Sequence, residues 1–223
     1  MNDLDKEQKI LQNWKFIKYN KNPLYPFLVV DNWYTPDEEK AVWSELELYS
    51  NIETKRAEDT IVARTSEGVP LGKSYRWYHN DYYTDKHYHK FPIEKNLYKV
   101  RTKEFHKELS FATPYYRNFP NSNKNTGLIS YYEEGDEYKS HHDTFLWTHL
   151  IWFYKEPKKF IGGDFTIDEA NVTIKCKHNR AIFFPCCYNH SVDKIKMTEN
   201  MPFGHGRWTI THFYFHAPEG KVD

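Results

Sequence analysis

The chain has 223 residues, and its 31 Lys and Arg residues balance 31 Asp and Glu residues, so the formal net charge is zero. Zero charge argues against a protein that mainly coats a nucleic-acid backbone, and no apolar run approaches the roughly 20 residues of a membrane-spanning helix. Three cysteines, two of them adjacent, make a poor disulfide framework. Together with a polar N-terminus unlike a secretory signal, these features predict a cytoplasmic globular protein.

The first part of the chain is predicted to hold the helices. Residues 1–22 are expected to form an N-terminal arm with a short amphipathic helix over residues 6–16, followed by a strand over residues 27–31. Thr35, Pro36 and Glu38 have the order of an N-cap, a first-turn proline and a capping-box glutamate, which predicts a helix over residues 36–50. A second helix is predicted over residues 93–109, and the ring-rich residues 58–89 are expected to form a substrate-facing lid.

From residue 128 onward, short strand-like runs are interrupted by Gly, Pro, Asn and Asp, as is typical of an antiparallel sandwich or barrel. The predicted strands cover residues 128–132, 145–154, 163–167, 172–176, 181–184 and 208–215. We therefore expect a single domain over residues 1–223, mainly β with flanking helices. In this division residues 23–127 supply helical support and the lid, and residues 128–216 supply the β core.

One short stretch carries the clearest chemistry. His141 and Asp143 are separated by a single residue, so on an extended chain both side chains point to the same face and can meet one metal ion. Two protein ligands hold a divalent ion poorly, and His190, which follows an apolar strand-like run, is the best candidate for a third. Two histidines and one carboxylate form the facial triad of non-haem Fe(II) oxygenases.

A second pair of side chains suits an acidic ligand. Arg207 and Thr209 share a face of the last predicted strand, and a guanidinium with a hydroxyl in an apolar pocket can hold a carboxylate. Residues 194–206 form a loop ahead of this strand, and its length decides whether Arg207 arrives in register. A dicarboxylic co-substrate could then bind the metal at one end and this pair at the other.

Taken together, these motifs resemble the Fe(II)/2-oxoglutarate-dependent oxygenases, and most closely their prolyl 4-hydroxylase-like branch. The resemblance covers about residues 128–216, and it implies a double-stranded β-helix, or jelly-roll, core that uses Fe(II), 2-oxoglutarate and O2. It also implies that His141, Asp143 and His190 bind iron, and that Arg207 binds 2-oxoglutarate with help from Tyr132 and Thr209. The matching pieces are Tyr132, Gly135, Tyr138, His141 and Asp143, then Gly162-Gly163, Phe183-Phe184, His190-Ser191-Val192 and Arg207-Trp208-Thr209.

The substrate is left open by the sequence. The favoured hypothesis is hydroxylation of a prolyl or other residue in a peptide or protein, and the alternatives are a free amino acid or other small metabolite, or a non-catalytic jelly-roll binding module. Nucleic acid is disfavoured because the balanced charge offers no basic stripe, no membrane partner is expected, and the oligomeric state is undetermined. His87 and His89 could form a second metal pair, although a mobile aromatic loop is the favoured interpretation, and Lys73 and Arg76 could contact a substrate.

Overall fold

The computed structural model describes residues 12–18, 24–82, 90–112 and 114–217. We number the strands and the α-helices separately in chain order. The helices are α1 (Pro36–Tyr49), α2 (His79–Tyr82), α3 (Pro92–Lys95) and α4 (Lys103–Ala112), with 3-10 helices at Ala57–Asp59, Leu97–Arg101 and Pro114–Asn121. The strands are β1 (Lys15–Lys18), β2 (Leu28–Asp31), β3 (Lys55–Arg56), β4 (Tyr75–Tyr78), β5 (Lys124–Tyr132), β6 (Tyr138–His141), β7 (Trp147–Phe153), β8 (Phe160–Ile161), β9 (Phe165–Ile167), β10 (Val172–Ile174), β11 (Arg180–Pro185), β12 (His190–Val192), β13 (Lys196–Met197) and β14 (Arg207–Phe215).

Two antiparallel sheets form the core. The major sheet has eight strands in the order β1-β2-β11-β7-β14-β5-β4-β3, and the minor sheet has four in the order β10-β9-β12-β6. One apolar cluster joins the facing surfaces of the two sheets, with Trp152 and Phe184 from the major sheet packed among Phe165 and Ile174 from the minor sheet. The predicted jelly-roll fold, mainly β with flanking helices, is therefore confirmed.

The other face of the major sheet is covered by the helices. A second apolar cluster packs Val42 and Leu46 of α1 and Phe105 of α4 against sheet residues such as Trp208 and Ile210. The molecule thus has three layers, and the major sheet lies in the middle. Its central strands, such as β7 and β11, are buried on both faces, which is why they read in the sequence as nearly continuous apolar runs rather than as clean alternations.

The first predicted helix is confirmed, together with its cap. The Thr35 hydroxyl accepts a hydrogen bond from the Glu38 amide at 3.5 Å, and the Glu38 carboxylate accepts one from the Thr35 amide at 2.8 Å. These reciprocal bonds satisfy amides that the first helical turn leaves without a partner. The Glu38 carboxylate also pairs with Lys99, whose ammonium is buried and donates to the Trp33 carbonyl at 2.8 Å.

The single helix predicted over residues 93–109 is wrong, because this stretch forms α3, a 3-10 helix and α4 in succession. The side-chain amide of Asn96 donates to the Pro92 carbonyl at 2.7 Å, and the Thr102 hydroxyl donates to the Lys99 carbonyl at 2.8 Å. Such local side-chain bonds compete with helical hydrogen bonding. Phe105 and Leu109 are nevertheless buried, as the apolar spacing predicted.

The helix predicted over residues 6–16 lies mostly outside the described residues, and its C-terminal end is wrong, because Phe16 belongs to β1. There Phe16 pairs with Val30 of β2, so strand pairing overrides the local helical pattern. The strand predicted over residues 27–31 is confirmed as β2, and the six strands predicted after residue 128 are confirmed as β5, β7, β9, β10, β11 and β14.

The segment expected to form the lid is only partly a loop. Residues 75–78 form β4, which adds to the major sheet beside β5 and continues into α2. Residues 83–89, including His87 and His89, lie outside the described residues, so the lid role and the second histidine pair stay predictions. Within the described ranges, no helix combines the length and the apolar character needed to cross a membrane.

Candidate metal centre

His141 and His190 lie on two neighbouring strands of the minor sheet, and Asp143 lies in the loop directly after the first of them. His141 is the last residue of β6, His190 is the first residue of β12, and the two are partners in the antiparallel register. One oxygen of Asp143 lies 3.8 Å from Nε2 of His141, and the other lies 3.7 Å from Nε2 of His190. These separations exceed a hydrogen bond, so the three donor atoms surround a space of the size that a metal ion needs.

Both imidazole rings are held with Nε2 toward this space. Nδ1 of His141 lies 2.9 Å from the Lys139 carbonyl, and Nδ1 of His190 lies 2.9 Å from the Tyr188 carbonyl. A carbonyl only accepts, so Nδ1 carries the proton and Nε2 keeps a lone pair for a metal. Burial, together with the neighbouring imidazole of His190, lowers the pKa of His141 to about 3, which keeps that ring neutral.

The carboxylate of Asp143 is positioned by a residue that sequence reasoning missed. The Thr148 hydroxyl donates to Oδ2 of Asp143 at 2.9 Å and lies 3.0 Å from the buried sulfur of Cys186. The Asp143 amide also donates to the Cys186 carbonyl at 3.0 Å. Thr148 lies at the start of β7 and carries no motif signal, so only its place in the fold reveals its role.

Two further neighbours complete the surroundings of the triad. The Tyr138 ring stacks on the His141 ring at a centroid distance of 3.5 Å and an interplanar angle of 13°. Gly72 leaves room for this ring, since a Cβ at Gly72 would lie 2.9 Å from it. His142, between the two predicted ligands, is exposed, as expected for the opposite face of the chain.

Arg207 and Thr209 enter the same space from β14. Arg207 is 1% exposed, and none of its three guanidinium nitrogens has an oxygen acceptor within the described part of the chain. The guanidinium lies 5.0 Å from the Tyr132 ring centroid and 5.5 Å from that of Trp152. The buried Thr209 hydroxyl also has no hydrogen-bond partner there. Such groups are costly to bury unless a ligand satisfies them.

All six residues predicted for the site line one cavity of about 80 Å³ between the two sheets. The loop over residues 194–206 does not displace Arg207, which starts β14 opposite Tyr132. The sequence suggested that Arg76 could contact a substrate without placing it in this cavity, and the structure shows it in the cavity wall beside Ser130. The full lining is Arg76, Leu128, Ser130, Tyr132, Tyr138, His141, Asp143, Leu150, Phe165, His190, Val192, Arg207, Thr209, Thr211 and Phe213.

A second group of metal-capable side chains lies on the opposite face of the major sheet. Oε1 of Glu94 is 2.5 Å from Nδ1 of His79 and 2.9 Å from Nε2 of His212, and all three side chains are fully buried. These are hydrogen-bond distances, so the carboxylate contacts both rings directly and leaves no gap for an ion. The group is a buried polar network beneath the helices, distinct from the open triad.

Comparison with known proteins agrees with this geometry. Residues 127–215 match the family model of the 2OG-Fe(II) oxygenase superfamily, and this stretch contains the triad, Arg207 and Thr209. The matched segment covers 89 of the 223 residues and carries the sequence pattern of that superfamily, which uses Fe(II), 2-oxoglutarate and O2. No protein of curated function matches the sequence.

Solved structures show the same fold. A Pseudomonas putida prolyl-4-hydroxylase superposes with a TM-score of 0.56 at 13% identity over 87% of this chain and 94% of that chain. A Phytophthora capsici prolyl 4-hydroxylase gives 0.53 at 14% identity over 95% and 65% of the two chains. The truncated viral collagen prolyl hydroxylase of Paramecium Bursaria Chlorella virus-1 gives 0.51 at 12% identity over 86% and 90%. At these identities the likeness establishes the fold.

The residues present fit both groups that the superfamily uses. Two imidazoles and one carboxylate, spaced around a common gap, are a donor set suited to Fe(II). The unsatisfied guanidinium of Arg207 and the hydroxyl of Thr209 are suited to the far carboxylate of 2-oxoglutarate. Both groups of donors line the same cavity.

Proposed function

We propose that the protein hydroxylates an unactivated C–H bond with Fe(II) held by His141, Asp143 and His190. The observation that carries this proposal is the convergence of three donor atoms, all within 4.8 Å of one another, on a cavity that also contains an unsatisfied arginine. When bound, Fe(II) with 2-oxoglutarate and O2 supplies the oxidation that converts C–H into C–OH, with succinate and CO2 as co-products.

In this proposal Arg207 holds the far carboxylate of 2-oxoglutarate through its planar fork, and the Thr209 hydroxyl donates a further hydrogen bond. The Tyr132 ring lies against the guanidinium and fixes its plane. Because Arg207 and Thr209 are almost fully buried, their bonds to a carboxylate form away from water, where charge-assisted hydrogen bonds are strong. These residues bind and orient the co-substrate, and the surrounding apolar lining excludes water from the cavity.

The favoured substrate is a prolyl or other residue within a peptide or protein. The structural neighbours named above are prolyl hydroxylases, and one is a collagen prolyl hydroxylase. A groove of about 640 Å³ also runs beside the cavity, with Thr54, Thr60 and Tyr78 in its lining, and it offers room for an extended chain. A free amino acid or other small metabolite is the alternative substrate, since it would need only the cavity and its rim.

The metal assignment is tested by comparing His141→Ala with His142→Ala. The two imidazoles are neighbours in the chain, but His141 faces the cavity and His142 is exposed. We expect His141→Ala to lose both tight binding of Mn(II), titrated as a redox-inert substitute for Fe(II), and succinate formation from 2-oxoglutarate. His142→Ala should keep both. Equal metal binding by all three proteins would overturn the assignment.

The substrate class is tested separately with the native enzyme. Proline-containing peptides, free L-proline and other free amino acids are incubated with Fe(II), 2-oxoglutarate and O2, and succinate formation is measured above the level without substrate. Stimulation by peptides, with a matching gain of one oxygen atom in their mass, supports the favoured class. Stimulation by free amino acids alone supports the alternative. If the native protein binds metal and 2-oxoglutarate but forms no succinate with any substrate or alone, the non-catalytic module is supported instead.

A further inference from the structure

Arg76 is a second buried arginine in the cavity, on the side away from Arg207. It lies on β4 as the register partner of Ser130 on β5, and Ser130 is in turn the partner of Thr209 on β14. Thr209, Ser130 and Arg76 therefore form one row across three adjacent strands, and all three line the cavity. With strands about 4.8 Å apart, Arg76 starts roughly 10 Å from Thr209, beyond the co-substrate pair.

The contacts of Arg76 are all with uncharged groups. Nη1 donates to the Ile61 carbonyl at 3.0 Å, Nε lies 3.4 Å from the Ser74 hydroxyl, and the guanidinium lies 5.2 Å from the Tyr138 ring centroid. Arg76 is 7% exposed. Within the described ranges no carboxylate lies within ion-pair distance of it, so a buried cation here lacks a counter-charge.

Two other arginines of the chain, Arg56 and Arg180, show the contrasting arrangement. Arg56 forms two hydrogen bonds with the Asp136 carboxylate, and Arg180 does the same with Asp31. Each of these guanidinium groups is matched by an internal carboxylate. The two arginines that line the cavity, Arg207 and Arg76, both lack a carboxylate partner within the described residues. In the function proposed above, the far carboxylate of 2-oxoglutarate is the partner of Arg207, and Arg76 is left without one. A buried cation that protein carboxylates leave unmatched is suited to an anionic ligand.

The charge of the loaded cavity leads to the same conclusion. Its charged lining consists of Arg76, Arg207 and Asp143, which leaves one net positive charge when the histidines are neutral for metal binding. Doubly charged Fe(II) and the 2-oxoglutarate dianion cancel each other. One positive charge therefore remains in the cavity when Fe(II) and 2-oxoglutarate are bound. Because Arg207 is then paired with the co-substrate carboxylate, the unpaired positive charge is that of Arg76.

Arg76 also lies where the cavity meets the neighbouring groove. It lines both the cavity and the neighbouring groove. The exposed part of the groove carries Glu53, Asp59 and Asp81 against Lys55. A ligand with an acidic group directed inward and a neutral or basic remainder directed outward matches this order of charges.

We propose that Arg76 binds a carboxylate of the primary substrate and so selects substrates that carry an acidic group near the hydroxylated carbon. The proposal rests on the function proposed above and adds the substrate's charge to it. The carboxylate has two chemical sources, an acidic side chain within a peptide or the α-carboxylate of a free amino acid. In either case a bidentate guanidinium contact fixes the substrate relative to the metal.

The test uses the protein loaded with Mn(II) and saturating N-oxalylglycine, a non-reactive analogue that occupies the 2-oxoglutarate site. 13C-labelled acetate is the carboxylate probe and 13C-labelled acetamide is its uncharged control, and paramagnetic relaxation by Mn(II) reports binding in the cavity. Native protein is compared with Arg76→Gln and with Arg64→Gln. Arg64 is exposed on the same segment, where it donates to the Gly68 and Glu58 carbonyls, so its variant removes an equal charge outside the cavity.

We expect saturable relaxation of acetate but not of acetamide in native protein and in Arg64→Gln, and at least a tenfold weaker acetate affinity in Arg76→Gln. Equal acetate binding in all three proteins, or equal binding of acetate and acetamide by native protein, would overturn the proposal. Loss of N-oxalylglycine binding in Arg76→Gln would also overturn it, because Arg76 would then belong to the co-substrate site. If Arg76→Gln does not fold, the acetate and acetamide comparison on native protein decides.

The same assay separates this inference from the function on which it rests. Failure of native protein to bind Mn(II) with N-oxalylglycine would refute the proposed function, and the inference with it. If native protein binds Mn(II) and N-oxalylglycine but does not bind acetate, only the inference about Arg76 is refuted and the proposed function stands. Competition then identifies the source of the carboxylate, since N-acetylglutamate amide presents a side-chain carboxylate and free glycine presents an α-carboxylate.

Discussion

Replacing Arg207 by methionine should make the ligand-free protein more stable while it destroys co-substrate binding. The guanidinium is 1% exposed and no oxygen acceptor among the described residues faces its nitrogens. Burying an ion without a partner costs several kcal/mol, whereas the contacts with the Tyr132 and Trp152 rings return roughly 2 kcal/mol. Methionine keeps much of the ring contact and removes the charge. A gain of about 2 kcal/mol follows, which for a chain of this length corresponds to a Tm increase of about 5 °C.

The same substitution should weaken 2-oxoglutarate binding severely. Arg207 can offer two hydrogen bonds to a carboxylate, and bonds to charged groups contribute about 1.5–3 kcal/mol each. Loss of roughly 4 kcal/mol weakens binding by about a thousandfold. Stability and binding therefore change in opposite directions, which is the pattern expected of a residue kept for its ligand rather than for the fold.

The assay is thermal unfolding with Mn(II), with and without 2-oxoglutarate, for native protein, Arg207→Met and Arg207→Lys. Lysine is the matched control, because it keeps the charge but cannot form the planar two-pronged contact. Without ligand, Arg207→Lys should not unfold at a higher temperature than native protein. Addition of 2-oxoglutarate should raise the Tm of Arg207→Lys by less than it raises the Tm of native protein. The reasoning is refuted if Arg207→Met unfolds at a lower temperature than native protein without ligand, or if it keeps the full shift with 2-oxoglutarate.

Three further predictions concern the surroundings of the site. Thr148→Val removes the hydroxyl that donates to Asp143 and should weaken Mn(II) binding about 10-fold, whereas Thr148→Ser should bind nearly as native protein does in the same titration. Burial keeps the pKa of His149 well below 6.5, so the unfolded chain takes up a proton below pH 6.5 that the folded protein excludes, and stability falls by about 1.4 kcal/mol per pH unit from this group. His149→Phe should flatten that fall in urea unfolding at pH 7.5, 6.0 and 5.0, and identical pH slopes would contradict this. Gly72→Ala places a Cβ 2.9 Å from the Tyr138 ring and should lower the unfolding free energy by about 1–2 kcal/mol. An unchanged Tm in thermal unfolding would contradict this expectation.

The parts of the site that follow one another along the chain could be predicted from the sequence. Arg207 and Thr209 are two residues apart on a strand, so their common direction follows from strand geometry. His141 and Asp143 are also two residues apart and face one space, although Asp143 lies just beyond the end of β6. His190 could be predicted as their neighbour because a jelly roll brings a later strand back beside the strand that carries His141. The structure places all of these side chains on one cavity.

Two residues, whose positions beside the cavity could not be predicted, reach it through the packing of the strands. Thr148 reaches Asp143 only because β7 passes beside the loop after β6, and Arg76 reaches the cavity only because β4 joins the edge of the major sheet next to β5. Neither residue stands in a motif. The helix predicted over residues 93–109 failed for a related reason, since Asn96 and Thr102 bond to nearby carbonyls in a way that apolar spacing does not reveal.

Strand β14 shows why the end of the loop over residues 194–206 is critical. Arg207 and Thr209 point into the cavity, whereas Trp208 and Ile210 belong to the apolar layer beneath the helices. A shift of one residue would exchange these two sets and bury the guanidinium among apolar side chains.

The Tyr131 hydroxyl accepts hydrogen bonds from the Gly204 and Gly206 amides, each at 2.9 Å. A Cβ at Gly206 would lie 2.1 Å from the Tyr132 carbonyl oxygen, so only glycine permits this approach. The loop thus enters β14 in one register, and that register gives the strand one face that lines the cavity and another that packs against the helices.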